Sequence, residues 1–227
     1  MTGALIAEWK RPPAWLTGGA LHAAAGVAAA VVAIELMPRA VANAEMWLLA
    51  IGFVAGAGAS ILLVRATEWA RQQFVDTDRS SGPWAVYGAV SADLLVDGLT
   101  TGAGAAVSTG LGLLLALSQV AANVPGGFAV TAQLRRTSAE RAQRLKMAAL
   151  YPVTPVLGGV VGYLVLRGAS EQVMGVALAS FSGLLLLATV EDIVPQADKP
   201  GAPRRISSPA FALGFVALML ASAYLGA

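Results

Sequence analysis

Apolar positions in this chain come in long, nearly unbroken stretches. They show neither the alternation of a half-buried strand nor the one-sided stripe of a surface helix. Seven stretches stand out: Ala14–Met37, Trp47–Val64, Trp84–Val107, Leu111–Leu134, Met147–Leu166, Val173–Thr189 and Pro209–Leu225. A helix needs about 20 mostly apolar residues to cross the hydrocarbon core of a bilayer. The pattern therefore predicts an all-α, polytopic membrane helix bundle of about seven spans, a single unit over residues 14–227. A short polar segment, residues 1–13, precedes it. The third and fourth stretches are separated only by Ser108, Thr109 and Gly110, which predicts a tight hinge.

Composition agrees with this reading. Hydrophobic residues make up 57% of the 227 and charged residues only 12%, about half the share usual in a soluble domain. The mean hydropathy is +0.69. Such a chain cannot cover itself with a water-compatible surface, so the lipid bilayer is its expected solvent. There is no cysteine, which excludes disulfides and thiolate metal sites, and the single histidine, His22, excludes a His-rich cluster. Residues 1–13 lack the apolar core of a secretory signal. No phosphate-binding Gly-rich Lys motif and no catalytic triad is present, so neither ATP-driven transport nor enzymatic catalysis is expected.

Charge sets the orientation. With seven spans, one face collects Lys10, Arg11, Arg65, Arg71, Arg79, Arg135, Arg136, Arg141, Arg144, Lys146, Lys199, Arg204 and Arg205, and the other only Arg39 and Arg167, a split of 13 to 2. The positive-inside rule then puts the N-terminus in the cytoplasm and the C-terminus outside. With a net charge of only +2, and with that charge in short loops, binding to nucleic acid is not expected.

Candidate chemistry sits where polar groups are costly. Asp93 and Asp97 fall in the middle of the third span, and each ionisable group there costs about 2.5–3.5 kcal/mol on insertion scales. Their spacing of four puts both carboxylates on one helix face. Two like charges so close resist joint ionisation, so the pair is expected to bind a cation or hold a proton. Ser91, Thr100 and Thr101 lie within a turn or two. The fourth span carries Asn123-Val124-Pro125-Gly126-Gly127, where a proline followed by two glycines predicts weakened helix beside an amide oxygen able to meet a hard cation. The fifth span has a double break, Pro152-Val153-Thr154-Pro155. Glu35, Glu191 and Asp192 lie at span ends and read as interfacial. His22 reads as a helix-packing donor. Glu35-Leu36-Met37-Pro38-Arg39-Ala40 at the end of the first span is echoed by Asp192-Ile193-Val194-Pro195-Gln196-Ala197 at the end of the sixth, which suggests an inverted repeat.

These runs resemble those of the ZIP family of divalent metal transporters, particularly its prokaryotic GufA-like branch, over nearly the whole chain. The run Glu35–Ala40 matches the family's Glu-Leu-x-Pro-Glu-Ala. The run Asp93–Gly102 matches His-Asn-x-Pro-Glu-Gly-Leu-Ala-x-Gly. The run Ala122–Val130 matches Gln-Asn-x-Pro-Glu-Gly-x-Ala-Val. The resemblance implies a transporter of the bacterial inner membrane, with metal ligands at Asp93, Asp97, Asn123 and Thr154. It also implies a divalent cation as cargo, zinc by family, with no resident cofactor. The departures are large. The first family helix is absent, which again places the N-terminus in the cytoplasm and leaves a flank that a homodimer would cover. Asp93 stands for the family's His, Leu94 for an Asn ligand, Ala122 and Gly126 for a Gln and a Glu, and Thr154 for a Glu. A two-metal site cannot be built from that set. The remaining ligands are oxygens, which favour Mg²⁺, Mn²⁺ or Ca²⁺ over zinc. Two rival readings use the same residues. One is a ZIP-fold protein that no longer transports and has a regulatory or structural role. The other is a proton-coupled carrier of another solute.

Overall fold

The computed structural model describes residues 13–75, 82–134, 146, 149–199 and 203–225. The segment 1–12, the basic loop residues 135–145 and Arg79 lie outside the described residues. The described chain is helical, and no strand occurs among those residues. The helices are α1 (Ala14–Ala30), α2 (Met37–Asn43), α3 (Met46–Val75), α4 (Gly82–Val107), α5 (Thr109–Leu134), α6 (Val153–Leu166), α7 (Glu171–Ala188), α8 (Val194–Asp198) and α9 (Arg204–Leu225). Trp15–Asn43, Met46–Ala66, Glu171–Asp198 and Arg204–Tyr224 are long and apolar enough to cross a membrane, while Thr109–Val120 and Val153–Leu166 are shorter apolar helices. Large apolar side chains point outward, among them Val54, Val165 and Leu213, each about 70% exposed. That is the surface of a protein solvated by lipid.

Sequence punctuation explains most helix boundaries. Ser108 ends α4, and its hydroxyl accepts the Leu111 N–H at 3.1 Å, capping α5 after a single non-helical residue. The predicted break in the fifth span is a turn at Tyr151–Pro152, after which α6 starts. Gly168, at φ 79°, reverses the chain after α6, and Ser170 caps α7.

Both copies of the acid-x-x-proline run adopt the same irregular backbone. A π-helical turn, Val31–Leu36, joins α1 to α2, and another, Thr189–Ile193, joins α7 to α8. In each, the proline (Pro38 or Pro195) is the second residue after the wide turn. A proline ring clashes with the carbonyl four residues back and cannot donate to it. One wider turn removes the clash without ending the helix. The fourth span departs from expectation here: α5 runs unbroken through Pro125, Gly126 and Gly127. Unwinding at this depth would leave backbone groups unsatisfied at several kcal/mol each, more than the propensity cost of the three residues.

Glycines set which helices meet. A methyl group on Gly26 would collide with the Phe211 carbonyl, and one on Gly214 with the Ala23 carbonyl, so α1 and α9 are in backbone contact. Gly56 against Ser180 and Gly183 against Phe53 do the same for α3 and α7. Gly98 against Pro155, Gly102 against Gly159 and Gly162 against Leu99 do so for α4 and α6. Small residues let membrane helices approach until dispersion and Cα–H contacts hold them. The result is three closely packed pairs, α1 with α9, α3 with α7 and α4 with α6, with α5 lying against α4 and also meeting α1 and α9, and α3 meeting α4. Leu111, Leu114 and Leu115 of α5 join them by packing into a buried cluster with Val31, Leu36 and Leu178.

Candidate metal site

Helical periodicity gives α4 two working faces. Leu95, Gly98 and Gly102 form the face against α6. Asp93, Asp97 and Gly104 lie on the other side, and Gly104 packs on Leu111 and Leu115 of α5. The paired carboxylates thus point toward the α5 side of the helix.

There the structure joins two of the sequence-predicted residues. The Asn123 amide nitrogen donates to Asp97 Oδ2 at 2.8 Å, between residues 26 apart in sequence. With its NH₂ group committed, the amide is oriented and its carbonyl oxygen is left to accept or to ligate. Gln119, one turn before Asn123 on the same face of α5, also hydrogen-bonds Asp97. Gln119 is not among the sequence-predicted site residues; its spacing of four from Asn123 is the signal that marks it. Asp93 is exposed, and Asp192, in the π turn after α7, lies close enough for the two charges to interact. Asp192 also accepts from Gln196 at 2.5 Å. Its place beside Asp93 depends on packing between distant helices and left no local mark in the sequence.

Thr154 stands in the first turn of α6, half-buried, next to Pro155, whose backbone meets Gly98. It therefore sits near the depth of Asp97 but beside the α4–α6 seam. Thr100 is buried and donates to the Val96 carbonyl at 2.9 Å. Two buried hydroxyls on the α6 side, Ser91 Oγ and the Tyr151 hydroxyl, have no hydrogen-bond partner among the described residues, and the Tyr151 ring stacks on Tyr87 with centroids 5.1 Å apart.

The acids at span ends are not alike. Glu35, expected at a wet boundary, is 2% exposed. It pairs with Arg39 at 3.0 Å and accepts from the Ser222 hydroxyl of α9. The family-type acid at position 39 is here an arginine that neutralises Glu35, so this end of the first span serves as a fastening. His22 uses Nδ1 on the Gly18 carbonyl, 2.8 Å away, and presents Nε2 to Asp198. No group of three or more His, Cys, Asp or Glu that could hold a metal occurs among the described residues.

The fold is that of a multi-pass membrane helix bundle, with a carboxylate–amide pair halfway along two adjoining helices. The family model for the ZIP zinc transporters matches residues 70–223, well over half of the chain, and the chain belongs to that family. It is thereby a multi-pass membrane protein of a family that transports divalent metals. No curated protein matches the chain.

Proposed function

We propose that this protein transports one divalent cation at a time through a reduced, all-oxygen site. Asp93 and Asp97 supply the charge, the Asn123 carbonyl supplies a neutral ligand, and Thr154 contributes from the α6 side. Gln119 orients Asp97, and Asp192 adds negative potential at the approach to Asp93. The observation that carries this reading is the Asn123–Asp97 hydrogen bond, which holds two ligands from different helices together at mid-helix depth. Oxygen-only ligands suit Mg²⁺, Mn²⁺ or Ca²⁺. Zinc remains the family's cargo and the comparison ion.

Transport on this reading is alternating access, with α4, α5 and α6 shifting against the remaining helices. The tight pairing of α4 with α6, and the lighter contact of α4 with α3, support it. So does the apolar contact of Leu111, Leu114 and Leu115 with the remaining helices. The basic-loop asymmetry supports a cytoplasmic N-terminus.

The test is uptake of Zn²⁺, Mn²⁺, Mg²⁺ and Ca²⁺ into proteoliposomes, with Asp93→Asn and Asp97→Asn compared with the parent. Expected is uptake of at least one ion that each variant reduces tenfold or more. Equal uptake by parent and variants would sink the proposal. No uptake by the parent would favour a protein that keeps the fold for a structural or regulatory role. Proton flux without metal flux would favour a proton-coupled carrier.

A further inference from the structure

The lone histidine is not part of the site above. His22 lies about two turns into α1, is 9% exposed, and faces Asp198, the last residue of α8. Its Nδ1 is 2.8 Å from the Gly18 carbonyl oxygen, and a carbonyl can only accept, so Nδ1 carries a proton. In the neutral ring the Nε2 lone pair is then directed away from α1. It meets Asp198 Oδ1 at 3.2 Å. Two acceptors facing each other at that distance require a cation between them or on one of them. A proton meets this need, and so does a transition-metal ion. Metal-ligating histidines characteristically donate the other ring N–H to a carbonyl or carboxylate, as His22 does here.

The surroundings leave room for a metal's remaining ligands. His22 and Asp198 line an open cavity of about 420 Å³, together with Val194, Arg204, Ser207, Ser208 and Phe211. Ser207 is 6% exposed and lines the same cavity. It offers a neutral oxygen to an ion or to the ion's waters. Asp198 is 67% exposed at its side chain, so an ion can enter from solvent. Arg204, also exposed, lowers the cation affinity from the cavity rim.

We propose that His22 Nε2 and the Asp198 carboxylate form a second divalent-metal site, completed by water and the Ser207 hydroxyl. It would take an ion that accepts imidazole, such as Zn²⁺ or Co²⁺. It is built from α1, α8 and α9 and does not share the helices that carry Asp93, Asp97 and Asn123. With two strong protein ligands it binds loosely and reversibly, and it ties the start of the first span to the end of the sixth. That combination suits a sensor of the ion rather than a structural clamp.

The experiment is a Co²⁺ titration of the purified full-length protein in detergent, followed by visible absorption and competed with Zn²⁺. It is run on the parent and on an Asp93→Asn/Asp97→Asn background, so the result does not depend on the transport site. Expected is one Co²⁺ per chain in that background. His22→Gln and Asp198→Asn should each weaken it about tenfold or more, and Arg204→Ala should strengthen it. Asp198→Asn, a change to an exposed side chain, gives the answer if His22→Gln does not fold. Cobalt binding that neither variant alters, or none below millimolar concentration, would overturn the proposal and leave a proton-mediated ion pair. Binding of inorganic phosphate that Arg204→Ala abolishes, with no cobalt signal, would overturn it in favour of an anion site.

Discussion

Asn123 of α5 donates its side-chain amide to Asp97 of α4 at 2.8 Å, and this bond ties the two helices together at the candidate site. Hydrogen bonds to charged groups contribute about 1.5–3 kcal/mol. Asn123→Ala should therefore destabilise the detergent-solubilised protein by about that amount. A double-mutant cycle with Asp97→Asn should recover a coupling of about 1 kcal/mol or more. Thermal or denaturant unfolding of the four proteins measures it, and additive effects would show that the two side chains act independently.

Helix contact through glycine makes a paired prediction within α3. Gly56 lies against the Ser180 backbone, whereas a methyl group on Gly58 would meet open space. Gly56→Ala should force α3 and α7 apart at about 1–3 kcal/mol. Gly58→Ala should be neutral or stabilising by up to about 1 kcal/mol through helix propensity. Unfolding midpoints of the two variants decide the matter, and similar shifts would contradict the packing described.

The Glu35 fastening should be asymmetric. Arg39→Ala leaves a buried carboxylate without its counter-charge and should cost about 3 kcal/mol. Ser222→Ala removes only one hydroxyl donor and should cost about 1 kcal/mol. If Arg39→Ala is the milder change by unfolding midpoint, Glu35 is held by something other than this network.

Orientation can be read by chemical labelling because the chain has no cysteine of its own. A single cysteine in place of Ala169, between α6 and α7, should react with a membrane-impermeant maleimide applied to intact cells. One in place of Ser138, in the basic loop, should react only after the membrane is opened. The opposite pattern would reverse the proposed topology.

Much of the fold was legible because helix formation and membrane insertion are local properties. The apolar runs located the helices. Ser108 and Pro152 marked turns that the structure contains, and the spacing of Asp93 and Asp97 put them on one face. Pro125 misled because local propensity weakens the helix there. Its surroundings oppose unwinding more strongly, since an opened backbone among apolar neighbours has nothing to bond to.

The sequence by itself determined a lipid-solvated helical bundle, its charge asymmetry, and the presence of costly carboxylates within it. Tertiary structure alone decided what those carboxylates meet. Lipid tails and apolar side chains are nearly equivalent neighbours, so hydrophobicity does not choose helix partners. Backbone approach of α6 at Gly98 and Gly102, and packing of the Leu115 side chain at Gly104, do. They turn the Asp97 face of α4 toward α5, so that Asn123 and Gln119 reach Asp97. Asp192 comes beside Asp93 and His22 against Asp198 through the same non-local packing.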